Sequence, residues 1–227
     1  MGRQMIIDHK TVQAVVFDMD GLIFDSEKVV QRSWTQASEE LGLPDVGTHI
    51  YYTLGFNINR RLEYFYRTFG QDFPAEEFSA LTRDKFREIE EKEGIDTKPG
   101  VEELLIYLKS QGVRIALATS SRREHAEYML DRAGLLNYFD GSVFGDMVKN
   151  AKPDPEIYVK ACEALSVSPL ASIALEDSPA GIEAAYSAGM WPVMVPDLVQ
   201  PSAEIRQKCG KVFDSLEGVL EWVRELK

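Results

Sequence analysis

Short apolar runs rich in β-branched residues recur along the chain and most constrain its fold. The longest runs occupy residues 11–17, 113–118 and 172–176, and shorter ones occupy 142–144, 192–195 and 211–213. Uninterrupted apolar runs of this length are typical of strands that are buried on both faces of a sheet. Amphipathic stretches lie between them, and this alternation of strand and helix predicts an α/β fold built on a parallel sheet.

The amphipathic stretches carry the spacing of helices. In residues 99–112 the apolar side chains recur at i, i+3, i+4 and i+7, between an initial proline and a final glycine. Proline at the start and glycine at the end are the boundaries that helices prefer. Residues 154–166, 178–188 and 215–226 show the same periodicity, so each is predicted to be a helix.

One long segment interrupts the alternation. Residues 27–94 contain helical patterns and no convincing strand, which predicts a helical domain inserted after the first strand. The predicted organisation is therefore a core domain formed by residues 1–26 and 95–227, with residues 27–94 inserted. The two glycine-containing segments 21–26 and 94–100 are the expected hinges.

Polar side chains follow four of the predicted strands at the points where the strands end. They are Asp18 and Asp20, Thr119 and Ser120, Lys152, and Glu176 with Asp177. Ligands bind beyond the carboxyl ends of the strands in open α/β sheets, so we expect these side chains to meet there.

Together these groups form a coherent chemical set. Clustered carboxylates without histidine or cysteine favour Mg²⁺, which keeps open positions for water and a substrate phosphate. Thr119 can donate to phosphate oxygens, and Lys152 can neutralise the remaining charge. A carboxylate can then attack the phosphoryl group, while a second carboxylate handles the leaving-group proton.

Each motif taken alone has a structural explanation. Asp18 fits a strand-end turn, Thr119 and Ser120 fit a helix cap, Glu176 and Asp177 fit another cap, and Lys152 fits an exposed helix start. An Asp-x-Asp motif also occurs in glycosyltransferases, which would leave Lys152 and the 176–177 pair unexplained. Their joint placement at strand ends favours a shared site.

Composition limits the partners that the chain can have. Its net charge of −12 argues against binding nucleic acid or an anionic membrane surface. No apolar run approaches the ~20 residues of a membrane span, and the first ten residues lack the apolar core of a signal peptide. The two cysteines show no metal-binding spacing. We therefore expect a cytoplasmic protein that acts on a small molecule.

Four segments resemble, in order, the motifs of the haloacid dehalogenase-like hydrolases, specifically the β-phosphoglucomutase-like phosphatases. They are FDMDGLIFDSE at 17–27, LATSS at 117–121, KPDP at 152–155 and LEDSPAGIEAAYSAGM at 175–190. The resemblance covers nearly the whole chain. It implies a Rossmann-like core with helices on both faces, and it implies that the helical insertion is a cap domain.

The resemblance also implies a role for each motif residue. Asp18 resembles the nucleophile that forms an aspartyl-phosphate, and Asp20 resembles the general acid–base. Thr119 and Lys152 resemble the phosphate-binding pair, with Ser120 beside them. The implied Mg²⁺ ligands are Asp18, the backbone carbonyl of Asp20, and Asp177, with Glu176 supporting the water around the metal.

The resemblance leaves two reactions open. Phosphatases and β-phosphoglucomutases share this chemistry, and differ in whether water or a second sugar hydroxyl accepts the phosphoryl group. The mutases carry a histidine in the first cap helix where this chain has Val30, and an arginine three residues after the cap glycine where it has Ile58 after Gly55. We therefore expect a phosphatase for a small phosphomonoester, such as a sugar or polyol phosphate.

The main alternative is a phosphosugar mutase, and a non-catalytic phospho-receiver or binding protein is the other. A receiver domain is usually about half this length and has no use for an inserted domain. Since most relatives of this kind are monomers, a monomer is expected. Lys28, Asn57 and Arg60 are candidates for contacts with the leaving group.

Overall fold

The computed structural model describes residues 5–7, 10–44, 46–53, 58–197 and 199–226. The chain forms two compact units. The first comprises the residues up to Phe24 and those from Thr97 onward, and the second comprises Asp25–Asp96. Each unit is described by itself below.

Strands occur in the first unit, and helices occur in both. The strands are β1 (Ile6–Ile7), β2 (Lys10–Thr11), β3 (Ala14–Phe17), β4 (Arg114–Ala118), β5 (Gly141–Val143), β6 (Ser172–Glu176), β7 (Trp191–Met194) and β8 (Lys211–Val212). The helices are α1 (Ser26–Glu40), α2 (Ile50–Thr53), α3 (Ile58–Phe69), α4 (Ala75–Glu93), α5 (Val101–Ser110), α6 (Arg123–Arg132), α7 (Glu156–Ala164), α8 (Pro179–Ser187), α9 (Ala203–Lys208) and α10 (Leu216–Glu225).

A parallel sheet forms the centre of the first unit. Across the described residues its six strands follow the order β5-β4-β3-β6-β7-β8, and every neighbouring pair is parallel. The chain therefore runs from β3 outward to β5, and then returns to the other side of β3 at β6. Ligand sites in α/β sheets form where the strand order reverses in this way, which here is the end of β3.

Both faces of the sheet are buried. Ala14 and Val16 belong to a core cluster with residues of α7 and α8, such as Tyr158 and Ala184. The alternate residues of β3 point to the opposite face, and they too are 1% exposed or less. Helix α5 packs on β4 and on α10. The prediction of a parallel α/β sheet with helices around it is confirmed.

The apolar run 11–17 was predicted as one strand, and this is wrong for its first part. Thr11 pairs with Ile6 in the antiparallel hairpin β1–β2, and only residues 14–17 join the parallel sheet. Between them the Val12 amide donates to the Met5 carbonyl, and the Gln13 amide donates to the Ala171 carbonyl. An apolar run does not reveal which of two sheets its residues will join.

The second unit is helical throughout its described residues. Helix α1 packs along α4, and an aromatic cluster fills the space between the helices. Trp34 meets Phe65 and Phe78 with ring centroids 5.5 and 5.8 Å apart. The Arg61 guanidinium lies 5.4 Å from the centroid of the Trp34 ring. Edge-to-face aromatic contacts of this kind stabilise a small helical unit beyond simple burial.

Some residues considered in the sequence lie outside the described part. These are Gly55 and Asn57, while Ile58 and Arg60 belong to α3. The roles of core and cap proposed for the two parts of the chain remain predictions. Among the described residues, no helix combines the length and apolar character needed to cross a bilayer.

Candidate active site

Three neighbouring strands of the sheet end in the polar residues expected there. Asp18 follows β3, Thr119 follows β4, and Glu176 is the last residue of β6. Backbone hydrogen bonds extend the ladder to these positions: the Asp18 amide donates to the Leu175 carbonyl at 3.0 Å, and the Thr119 amide donates to the Val143 carbonyl at 3.1 Å. The hydrogen-bonded backbone of the sheet therefore fixes the Cα positions from which these side chains project.

Lys152 links all three of these strand ends. Its Nζ donates to Asp18 Oδ1 at 2.6 Å, to Glu176 Oε1 at 2.6 Å and to the Ala118 carbonyl at 3.0 Å. The Lys152 side chain is 7% exposed. Burial opposes its charge, but Asp18 and Glu176 raise its pKa above the ordinary lysine value, so it stays an ammonium. Its three protons are all used within the site.

Glu176 is completely buried and held from both of its oxygens. The Tyr158 hydroxyl donates to Oε1 at 2.7 Å, and the Ser178 amide and hydroxyl donate to Oε2 at 3.1 and 2.9 Å. Burial opposes ionisation, yet Lys152 and these donors lower the pKa of Glu176. Gly181 completes the cradle, because a Cβ atom there would collide with the Glu176 carboxylate. Glu176 is therefore a fixed anion that anchors Lys152.

Asp20 is held by the segment that follows β4. The Ser121 hydroxyl donates to Asp20 Oδ2 at 2.7 Å, and the Thr119 hydroxyl lies 3.5 Å from the same oxygen. Thr119 Oγ1 accepts a bond from the Ser121 amide at 3.0 Å. Ser120 has an exposed side chain, while its carbonyl packs against Gly145. The structure thus brings Asp20, Thr119 and Ser121 together, with Ser120 beside them.

Three carboxylates could share a metal ion. Asp18, Glu176 and Asp177 each offer a carboxylate oxygen, and these oxygens lie within 4.8 Å of one another. Burial, with Glu176 and Asp20 adding to it against the opposing effect of Lys152, raises the pKa of Asp18 to about 7. Burial, Glu176 and Asp18 raise the pKa of Asp177 well above its usual value.

The cluster is short of positive charge. One ammonium faces several buried carboxylates, so the arrangement favours a further cation or bound protons. Oxygen ligands of this kind suit a hard divalent cation such as Mg²⁺. The donor set therefore fits the metal that the sequence predicted.

The capping and surface alternatives for the later motifs are not realised in the described chain. Helix α6 begins after Arg122, without a side-chain cap from Thr119 or Ser120. Ser178, and not Glu176 or Asp177, caps α8 by accepting a hydrogen bond from the Gly181 amide at 3.1 Å. Lys152 is buried rather than exposed. The polar side chains that meet at the strand ends are therefore available to form one shared site.

Sequence reasoning missed three polar contacts of the site. Ser121 stands next to the predicted Ser120, and Ser178 lies inside the last motif, so both were visible but given no role. Tyr158 lies within the predicted helix 154–166, where periodicity marks it as a buried position but does not reveal which polar atom its hydroxyl meets.

Comparison with known proteins agrees with this geometry. The profile of the haloacid dehalogenase-like hydrolase family matches residues 12–189. A phosphorylated carbohydrates phosphatase of Thermotoga maritima is 38% identical over 187 residues, which are 79% of this chain and 82% of the relative. Hexitol phosphatase B of Escherichia coli K12 is 31% identical over 196 residues, 82% of this chain and 85% of the relative.

A solved structure extends the similarity to the fold. The crystal structure of a putative β-phosphoglucomutase from Thermotoga maritima superposes with a TM-score of 0.80 at 31% identity, covering 95% of this chain and all of that one. Both sequence and fold therefore lead to one assignment. The chain belongs to the haloacid dehalogenase-like hydrolase family, in its β-phosphoglucomutase-like branch, and is a phosphomonoester hydrolase.

Proposed function

We propose that this protein is a Mg²⁺-dependent phosphatase that hydrolyses a sugar or polyol phosphate through an aspartyl-phosphate formed on Asp18. The observation that carries the proposal is the Lys152 ammonium, which lies 2.6 Å from both Asp18 Oδ1 and Glu176 Oε1. A buried cation beside the attacking carboxylate can attract the phosphate and stabilise charge in the transition state.

In this proposal Asp18 forms the covalent bond to phosphorus, and Asp20 transfers the protons. An Asp18 oxygen attacks phosphorus, the bond from phosphorus to the alcohol oxygen breaks, and Asp20 gives that oxygen its proton. Water then attacks the same phosphorus and gives a proton to Asp20, and the bond to Asp18 breaks to release inorganic phosphate. The Ser121 hydroxyl, 2.7 Å from Asp20 Oδ2, supports the orientation that both proton transfers need.

Asp18, Asp177 and the Asp20 backbone carbonyl would hold Mg²⁺, with Glu176 near its water shell. When bound, Mg²⁺ neutralises negative charge on the phosphoryl oxygens and favours the ionised form of Asp18. Glu176 already accepts bonds from Lys152, Tyr158 and Ser178, so its main contribution is to hold Lys152.

Thr119, Ser120 and Lys152 form the proposed phosphate-binding group. Thr119 Oγ1 accepts the Ser121 amide, and its own proton, which makes only a long 3.5 Å contact to Asp20 Oδ2, can turn to a phosphate oxygen. Ser120 is exposed next to it and would contact the phosphate at the rim of the site.

The substrate class rests on the relatives. Two of them are named for phosphatase activity on phosphorylated carbohydrates and on hexitols. We propose that residues 25–96 act as the cap that selects the alcohol portion. The free thiols of Cys162 and Cys209 are compatible with a cytoplasmic protein, and we propose a monomer there.

The test is phosphate release from a panel of sugar, polyol and nucleoside monophosphates, with Mg²⁺ or with chelator, for the wild type and Asp18→Asn. We expect Mg²⁺-dependent release from a few sugar or polyol phosphates, and none from the variant. Release that persists in Asp18→Asn would refute the aspartyl-phosphate.

The same panel separates hydrolysis from isomerisation. If hexose 1-phosphates are converted to hexose 6-phosphates with a bisphosphate primer, and no compound yields free phosphate, the protein is a mutase. The proposed phosphatase requires inorganic phosphate to be the main product.

A further inference from the structure

One more acidic residue, Asp197, lies near the carboxylate cluster described above, and it belongs to none of the sequence motifs. Asp197 follows β7, and its side chain is 10% exposed. Lys98 Nζ donates to Asp197 Oδ1 at 2.6 Å. Asp197 Oδ2 is buried and has no hydrogen-bond partner within the described part of the chain. A buried carboxylate oxygen without a donor is costly, so its retention needs an explanation.

Asp197 Oδ2 and Asp177 face the same small space above Gly21. A Cβ atom on Gly21 would collide with the Asp177 carboxylate, and would lie 3.5 Å from Asp197 Oδ2. Gly21 has φ +84°, a backbone conformation that favours glycine. The missing side chain therefore leaves room beside both carboxylates, Asp177 and Asp197.

Two carboxylates that border one small space favour a donor or a cation there. Lys98 already engages Oδ1 of Asp197, whereas Oδ2 is the Asp197 oxygen on the Gly21 side. A hydrated cation at Asp177 would supply both positive charge and water protons for the unpartnered oxygen.

We propose that Asp197, oriented by Lys98, is a positioning residue of the metal centre whose Oδ2 accepts a hydrogen bond from the water shell of a divalent cation held by Asp18 and Asp177. The inference rests on the proposed function as far as cation binding is concerned. The inference adds two residues to the proposed metal centre. Asp197 comes from the loop after β7, and Lys98, from the segment before α5, holds the Asp197 carboxylate in place.

The chain offers a matched control. Gly21, Lys98 and Asp214 line one cavity of about 230 Å³ in the first unit. Asp214→Asn removes the same charge from this region as Asp197→Asn does, but Asp214 is exposed. A general loss of negative charge would affect the two variants alike, whereas an outer contact to the metal concerns Asp197 alone.

The experiment is calorimetric titration of Mg²⁺ alone into the full chain without substrate, combined with melting temperatures in chelator. We expect Asp197→Asn to bind Mg²⁺ at least about tenfold more weakly than the wild type. Asp214→Asn should stay within about twofold. Because asparagine keeps an acceptor for Lys98, the melting temperature of Asp197→Asn in chelator should stay within a few degrees of the wild type.

A second variant tests the same contact without changing Asp197, in case Asp197→Asn folds poorly. Lys98→Gln keeps the Asp197 charge but removes its orienting partner, and we expect Mg²⁺ affinity to fall by about threefold. If net charge alone governed the affinity for Mg²⁺, removal of the Lys98 ammonium would instead tighten Mg²⁺ binding.

Several outcomes overturn the inference. Unchanged Mg²⁺ affinity in Asp197→Asn would do so, as would equal weakening in Asp214→Asn, or tighter binding in Lys98→Gln. If the wild type binds no Mg²⁺, the metal dependence proposed above fails together with this inference. If the wild type binds and the variants do not differ from it, only the role of Asp197 fails.

Discussion

Lys152 joins two buried carboxylates and a strand-end carbonyl, so its removal changes both charge balance and packing in the site. Lys152→Met should lower kcat/KM by about 10³-fold or more, because the phosphate and the transition state lose their buried cation. Lys149→Met is the control, since Lys149 is exposed on the same loop. Near-normal kcat/KM in Lys152→Met would contradict the proposed role.

The same variant has an expected stability profile. Lys152 and neighbouring donors lower the pKa of Glu176, so their contribution is present above the unfolded pKa of Glu176 and is lost as pH falls. The melting temperature of Lys152→Met should therefore lie below that of the wild type at neutral pH, and the gap should narrow as the pH falls below about 4.5. Thermal scans across this range, without metal, measure it.

Asp18 predicts the opposite pH dependence. Its folded pKa of about 7 lies above the ordinary aspartate value of 3.8, so the folded state binds a proton more tightly than the unfolded state does. Without metal, the stability of the wild type relative to Asp18→Asn should fall as pH rises from about 4 to about 7, and level off above. Mg²⁺ should reduce this fall, and a flat difference in chelator would disprove the burial effect.

Asp18, Thr119 and Glu176 lie at strand ends, and that placement follows from local pattern, so these three could be predicted to meet. Lys152 reaches them from the loop between β5 and α7. Tyr158 could not be predicted to join them, because helical periodicity gives the buried face of α7 but not the polar atom that a hydroxyl reaches. The Lys98–Asp197 pair joins residues far apart in sequence, and neither has a local motif.

Among the elements, the first turn of α8 carries the sharpest steric demand. Gly181 and Gly218 hold the same position, three residues after the capping serines of α8 and α10. A Cβ atom on Gly181 would collide with the Glu176 carboxylate, whereas on Gly218 it would lie 3.4 Å from the Phe213 ring. The two glycines therefore have different reasons to be there.

Gly181→Ala should destabilise the protein by about 1–3 kcal/mol, because the buried Glu176 carboxylate must shift away from its donors. It should also lower kcat by weakening the hold on Lys152. Gly218→Ala should be neutral, or stabilising by up to about 1 kcal/mol, since alanine favours the helix. Denaturant unfolding compares them, and equal effects would argue against the Glu176 cradle.

Element boundaries were harder to predict than element types. Helices α5, α7, α8 and α10 were expected from periodicity, and each begins or ends within two residues of its predicted bound. The prediction of one strand over residues 11–17 was wrong because a hairpin strand and a buried parallel strand can have the same apolar content. The hydrogen bonds that the Val12 and Gln13 amides donate to the Met5 and Ala171 carbonyls mark the change of partner, and neither acceptor lies within the run itself.

At the scale of the whole molecule, the helical unit is inserted at one point of the core. Phe24 and Thr97, on either side of the insertion, are antiparallel bridge partners. Replacing residues 25–96 by a short glycine–serine linker should therefore leave a folded core. This core should bind Mg²⁺ and hydrolyse a simple aryl phosphate, but should lose selectivity among sugar phosphates. Asp18→Asn in the shortened chain is the control.

Loss of all Mg²⁺ binding in a folded, shortened core would contradict the assignment of the metal ligands to the first unit. Retained selectivity among sugar phosphates would contradict the proposed role of residues 25–96. Circular dichroism and phosphate release distinguish these cases.

The position of the insertion also orders events during synthesis. Strand β3 pairs only with β4 and β6 among the described strands, and both are made after residues 25–96. The Asp25 amide donates to the Asp96 carbonyl at 2.9 Å, which closes the helical unit on itself. Chains stalled on the ribosome once residue 96 has emerged should thus contain a protease-resistant helical unit and an unpaired β3. Asp18, the proposed nucleophile, then follows an apolar strand that stays exposed until its partner strands are translated.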